Sequence, residues 1–348
     1  MFVLGSGINA MKYKNNIQSA IYKHATHLPM QWMRYMSGQN LVLPFYHLAT
    51  EIVPEHIKYL YTPKTLKEFE ADLDFLLRHF VPLSLEDLRD KVTFPVKKSK
   101  AGFFLSFDDG LTEFHDYIAP ILMKKGIPAA VFVNPSFVDN QDLFYRYKVS
   151  LLISQIKKSP KELLNPELIA VMKTLSIGDD VGQKLLSIDY RNRSILDNIA
   201  QIIGVQFEAY LSKHTPYMTK TQLLSLKSDG FYIGGHSMDH PRYELISLTE
   251  QIRQTKMSID WVFRELNCDD RIFAFPFTDY KVSKEFFDEI HQKEWITFGT
   301  AGLKNDSIPF NLQRIPMGRH LQSSEKILKY EYLYYIAKSF VGKNTIRR

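Results

Sequence analysis

Gly102-Phe-Phe-Leu-Ser-Phe-Asp-Asp-Gly110 is an apolar run that ends abruptly in two carboxylates and a glycine. The run predicts a β-strand over 102–107, stopped by a turn at the acidic pair. Residues 114–125 then have helical character with Gly126 as the stop, and 129–133 is strand-like again, so the stretch forms one βαβ unit.

Upstream, 41–46 predicts a first strand with His47 at its end. Thr65-Leu-Lys-Glu68 is a capping box, and Leu66, Phe69, Leu73, Leu76, Leu77 and Phe80 follow at helical spacing. Downstream, strands are expected at 231–235, 271–277, 295–298 and 312–317. Helices are expected at 247–266, 283–293 and 323–340, the first of them opened by Ser247-Leu-Thr-Glu250. This alternation is that of an α/β barrel or a doubly wound sheet. Residues 139–217 break it with helix-like 143–156, 163–175 and 195–203, and read as a helical insertion that covers the rim of the barrel or mediates contacts between subunits.

Composition narrows the choice of function. The chain has 348 residues, 45% of them apolar, enough for a large core. A net charge of +6 without a recognised motif argues against a nucleic-acid binder. No acidic residue precedes Glu51, whereas Lys12, Lys14, Lys23 and Arg34 do, so 1–40 is a basic extension. It is read first as a solvated surface and second as a peripheral contact with anionic lipid or an acidic glycan. The sequence shows neither a secretory leader nor an apolar run long enough to span a membrane. Its single cysteine, Cys268, suits a reducing compartment, and a cytoplasmic location is expected.

Gly234-Gly-His-Ser-Met-Asp-His240 supplies two histidines one helical turn apart. Catalytic zinc sites commonly take three protein ligands from His and Asp or Glu. Asp109, His236 and His240 make such a set. Asp108, the second carboxylate of the pair, is then free to act as a base. Each motif alone has a bland reading: Asp-Asp-Gly as a capped turn, His-x-x-x-His as a surface pair. Both together, each after an apolar strand, point to a metal site with a carboxylate left over.

At these residues the chain resembles the polysaccharide deacetylases, the NodB-homology or carbohydrate esterase family 4 enzymes. Ser106-Phe-Asp-Asp-Gly110 is similar to their first motif, His236-Ser-Met-Asp-His240 to their second, and Phe273-Ala-Phe-Pro-Phe277 to a variant of their third. The resemblance runs in motif order over roughly 41–317. It implies a distorted, incomplete (β/α) barrel in two parts, 41–138 and 218–348, around the 139–217 insertion. It also implies removal of an N-acetyl, or less often O-acetyl, group from a sugar or polysaccharide by water activated on a divalent metal. Zinc is the first expectation, with cobalt, nickel or iron also suited to two histidines and a carboxylate. The backbone N–H of Phe277 would stabilise the oxyanion. His320, in Arg314-Ile-Pro-Met-Gly-Arg-His320, would be the general acid, with His47 as its rival.

Two departures from the family pattern matter. The family arginine that orients the catalytic aspartate would fall at Ala274, leaving Arg271 or Arg314 to supply the tether. The Asp-Trp pair expected after the third motif is missing there, and Asp260-Trp261 occurs too early. The departures touch the substrate rim and favour a substrate unlike chitin or peptidoglycan, such as a nucleotide- or lipid-linked sugar. His47, Tyr46, Phe275 and Arg314 are candidate substrate contacts, and Phe45, Phe277 and Tyr280 could stack on sugar rings. Two alternatives remain: removal of a different acyl group, such as a formyl, and a catalytically silent, glycan-binding member. The oligomeric state is open.

Overall fold

The computed structural model describes residues 28–93, 101–175, 180–291, 295–318 and 322–348. At its centre are eight strands with every pairing parallel. We number them β1 (Pro44–Tyr46), β2 (Leu105–Phe107), β3 (Ala129–Val133), β4 (Tyr232–Gly235), β5 (Ile272–Ala274), β6 (Ile296–Gly299), β7 (Asn311–Gln313) and β8 (Ile315–Pro316). Across the sheet the order is β7-β6-β5-β4-β3-β2-β1-β8. The expected α/β barrel is thus present in distorted form.

The strand expected over 312–317 is split in two, and the split closes the barrel. The Arg314 N–H donates to Gly299 O on β6 at 3.1 Å, whereas the next N–H, that of Ile315, donates to Leu43 O beside β1 at 2.8 Å. Arg314 is therefore the seam at which one short segment changes partner from one edge of the sheet to the other.

Phe104, Ala130, Phe132, Ile272, Ala274, Ile296 and Phe298 alternate with outward residues along their strands and pack together as one buried cluster. Fully burying each of those phenylalanines contributes on the order of 1.5–3 kcal/mol. The opposite faces of β2 and β3, through Phe107, Ala129, Val131 and Val133, join a larger core with Phe69, Leu73 and Leu76 of the helix Leu66–His79. Thr65 caps that helix with the reciprocal Glu68 contact its sequence announces. The helix Met30–Ser37 buries Met30 and Met33 in the same core, while 1–27 of the basic extension lies outside the described residues.

Gly235 ends β4 against the helix Leu248–Leu266. A Cβ there would lie 2.6 Å from Ser258 Oγ and 3.1 Å from the Ile259 backbone nitrogen, so only glycine permits this approach.

Between β3 and β4 the chain forms the helices Tyr145–Lys158, Pro166–Thr174, Val181–Leu186, Ile195–Ile202 and Phe207–His214. They bury an apolar cluster of their own, which includes Leu152, Leu196, Ile199 and Phe207 and takes in Leu48, Ile57 and Leu111 from the barrel loops. Among the described residues, no helix is long and apolar enough to cross a membrane.

Candidate metal centre and its carboxylate

Where strands run parallel, the residues that follow each one gather at one end of the barrel. Asp108 and Asp109 follow β2, His236 follows β4, Phe277 lies beyond β5, and His47 follows β1. The chain turns sharply after β2: Asp109 has φ 74° and Gly110 φ 63°, the latter with room for little more than a hydrogen because Val133 Cγ1 lies 3.0 Å from where a Cβ would be. That turn sends the two carboxylates in different directions.

Asp108 meets Arg314. Nη1 donates to Oδ1 at 2.7 Å and Nη2 to Oδ2 at 2.9 Å, a two-pronged grip on a carboxylate that is itself buried. Arg314 is fully buried, donating also to Ser106 Oγ at 3.1 Å and Gly299 O at 3.3 Å, with its guanidinium 4.2 Å from the Phe45 ring centre. Burial by itself would raise the Asp108 carboxyl, but the Arg314 guanidinium beside it holds it below its ordinary value. Of the two arginines expected as tethers, Arg314 fills the place. Arg271 lies elsewhere, 3.5 Å from Asp260 and stacked on Phe263.

Asp109 meets the histidines. Its Oδ1 lies 3.1 Å from His240 Nε2 and 3.6 Å from His236 Nε2, and one ligand atom from each of the three residues lies within 4.8 Å of the others. All three side chains are buried. The ring Nδ1 of His236 pairs with Ala274 O at 2.7 Å, which leaves Nε2 as the free lone pair facing Asp109. Burial pushes His236 down to about 4, so the ring is neutral and able to ligate. Burial opposes ionisation of Asp109, but the His240 ring beside it holds it well below the usual carboxylate range.

Oδ1 of Asp109 is buried without a hydrogen-bond partner among the described residues. A buried anionic oxygen facing two imidazole nitrogens is costly unless a cation joins them, so this donor set fits a divalent metal.

The two histidines are not on a helix, although their spacing matches one turn. Residues 236–240 form an irregular loop with positive φ at Ser237 (64°) and His240 (61°). Asn134, just past β3, pins that loop by donating to the carbonyls of His236 and Ser237, while Ser237 Oγ accepts from the His240 N–H at 3.0 Å. Gln254 Oε1 accepts from the Met238 N–H at 2.8 Å. The Phe144 and Phe277 rings lie 4.3 and 4.7 Å from the His240 ring and wall one side of the centre.

Two residues expected as substrate contacts lie elsewhere. Tyr46 is fully buried on the outer face of β1, packed on Phe69 and Phe107, with its hydroxyl donating to Asp72 at 2.9 Å. Phe275 is fully buried among Tyr243, Phe273 and Phe286. Of the aromatics expected to stack on sugar, Phe45 is also buried, whereas Phe277 and Tyr280 are exposed. Phe277 has φ 58°, and its N–H has no hydrogen-bond partner among the described residues. His47 is half-buried at the barrel mouth, its ring 5.7 Å from Tyr61. His320 lies outside the described residues.

The sequence reading missed Asn134 and Tyr147. The Tyr147 hydroxyl, from the helix Tyr145–Lys158, donates to Asp109 Oδ2 at 3.1 Å. Its only sequence signal is one more aromatic on an apolar helix face.

Comparison with known proteins agrees with this fold. The sequence profile of the family described as polysaccharide deacetylase matches residues 96–173, which contain the Asp108-Asp109 pair. The resemblance drawn from the motifs is borne out by that match. Among curated proteins no sequence matches. Among solved structures, the Streptococcus pyogenes deacetylase PplD in complex with acetate superposes with a TM-score of 0.53 at 15% identity, over 84% of this chain and 97% of that one. IcaB from Ammonifex degensii gives 0.50 at 14%, over 84% and 97%. A polysaccharide deacetylase from Bacillus cereus gives 0.50 at 13%, over 84% and 68%. At these identities the likeness is one of fold.

Proposed function

We propose, from the premise that residues 96–173 carry polysaccharide deacetylase sequence, that this chain is a metal-dependent hydrolase removing an N-acetyl, or O-acetyl, group from a sugar or polysaccharide. The observation that carries the proposal is the division of labour at Asp108-Asp109. One carboxylate is tethered by Arg314 and the other faces two histidines.

Asp109, His236 and His240 would hold the ion, most simply Zn2+. A divalent ion there supplies a Lewis acid that polarises the acyl carbonyl and makes water acidic near neutral pH. Asp108, kept ionised and oriented by Arg314, accepts the proton of the attacking water. The Phe277 N–H donates to the acyl oxygen as negative charge builds on it. The departing amine takes a proton from a histidine, either His47 at the barrel mouth or His320. Phe277 and Tyr280, both exposed, would be the aromatics that meet a sugar ring.

The test is release of acetate from a panel of N-acetylated saccharides, polymeric, nucleotide-linked and lipid-linked, with formyl analogues alongside. Acetate release that stops with a chelator and in Asp108→Asn supports the proposal. Formate release alone would reassign the acyl group. Saccharide binding without any turnover would make the chain a glycan-binding protein.

A further inference from the structure

We propose that Tyr147 is a positioning residue for Asp109, so that the helical segment 139–217 supplies part of the metal centre as well as a wall beside it. The inference rests on the metal-centre reading above.

Asp109 presents two oxygens. Oδ1 faces His236 and His240, and Oδ2 accepts from the Tyr147 hydroxyl at 3.1 Å. A carboxylate free to turn about its Cβ–Cγ bond exchanges those oxygens. Holding one of them leaves the other as a single, fixed ligand. Hydrogen bonds to ligating carboxylates typically alter metal affinity about 10–100-fold.

Tyr147 is well held for this task. It is 1% exposed, stacked on Tyr217 with ring centres 6.1 Å apart, edge-on to Phe144 at 5.1 Å, and 4.8 Å from the His56 ring. Its helix is fixed to the barrel loop one turn further on, where Ser150 Oγ donates to Glu55 O at 2.7 Å and accepts from the Tyr59 N–H at 3.2 Å. A carboxylate oxygen only accepts, so the Tyr147 hydroxyl is the donor of this bond.

This makes folding of the segment and metal binding interdependent. A tyrosine outside every barrel strand settles which oxygen of Asp109 is offered to the ion.

The experiment titrates the metal-free full chain with Zn2+ against a chromophoric chelator, which reads affinity without any substrate. Tyr147 is replaced by phenylalanine and, separately, by 4-fluorophenylalanine, neither able to donate, so that one unfolded variant does not end the test. Ser150→Ala disturbs the docking of the same helix without touching Asp109. The expected result is Zn2+ affinity about 10–100-fold weaker in the two donor-less variants, with Ser150→Ala unchanged in affinity though lower in melting temperature. Placing 4-aminophenylalanine at 147, which restores an N–H donor, recovers most of the affinity. Donor-less variants that bind as the parent does overturn the role of Tyr147 alone. A parent that binds no Zn2+ overturns the metal-centre reading, and this inference with it.

Discussion

Arg314 holds both carboxylate oxygens of Asp108 from the seam where β7 becomes β8, so the residue that closes the barrel is also the one that aims the candidate base. Removing the guanidinium leaves a buried carboxylate unpaired. Arg314→Met is expected to lose about 3–5 kcal/mol in urea denaturation at pH 7. Arg314→Lys, with a charge but no fork, is expected to fold better and still lose turnover. Full activity in Arg314→Lys would show that the two-pronged grip is not needed.

Asp108 and Asp109 are adjacent in sequence but face different partners, so their variants should separate. Asp108→Asn is expected to retain metal and to lose turnover by about 10²–10⁴-fold, the range for a positioned base. Elemental analysis alongside acetate release checks both halves. Loss of metal in this variant would mean that Asp108 ligates.

Stability of the metal-free protein should depend on histidine burial. Burial pushes His56 down to about 3 and His236 down to about 4, whereas both sit near 6.5 in an unfolded chain. The folded state thus excludes protons that the unfolded state takes up. Stability is complete above about pH 6.5 and falls as pH drops toward 4, by up to about 1.4 kcal/mol per pH unit for each histidine. Asp108 and Asp109, whose folded values are lowered, add their own loss only further into acid. Urea denaturation at pH 7, 6 and 5 should give a shallower decline for His56→Gln than for the parent. Equal slopes would contradict the buried, neutral His56.

Gly235 connects packing to chemistry. Gly235→Ala places a methyl against Ser258 Oγ and the Ile259 backbone and displaces the strand end that carries His236. A loss of about 1–3 kcal/mol is expected from overpacking, accompanied by weaker metal binding. A calorimetric melt and a metal titration of the same sample read both effects.

Most of this site could be read from sequence because its residues violate their surroundings. Asp108, Asp109, His236 and His240 are polar groups at the ends of apolar runs, where packing gives them no reason to be. Arg314 was legible only as one of two options, since choosing it over Arg271 requires the seam between β7 and β8. Tyr46 and Phe275 were misplaced for a physical reason: a parallel strand buried on both faces shows no inside–outside alternation, so which side chains line the mouth is set by the barrel and not by the pattern. The His236–His240 spacing matched a helical turn but belongs to a loop that Asn134 and Ser237 hold. Tyr147 had no signal beyond one more aromatic on an apolar helix face, because its partner lies 38 residues away across the fold.

Everything proposed for this site requires that Asp109, His236 and His240 hold one metal ion. Bound divalent metal per chain, measured by elemental mass spectrometry on the parent and on His240→Ala, tests it most directly. Close to one ion in the parent and little in the variant is the expected result. Absence of metal from both after reconstitution with Zn2+ and Co2+ would contradict it.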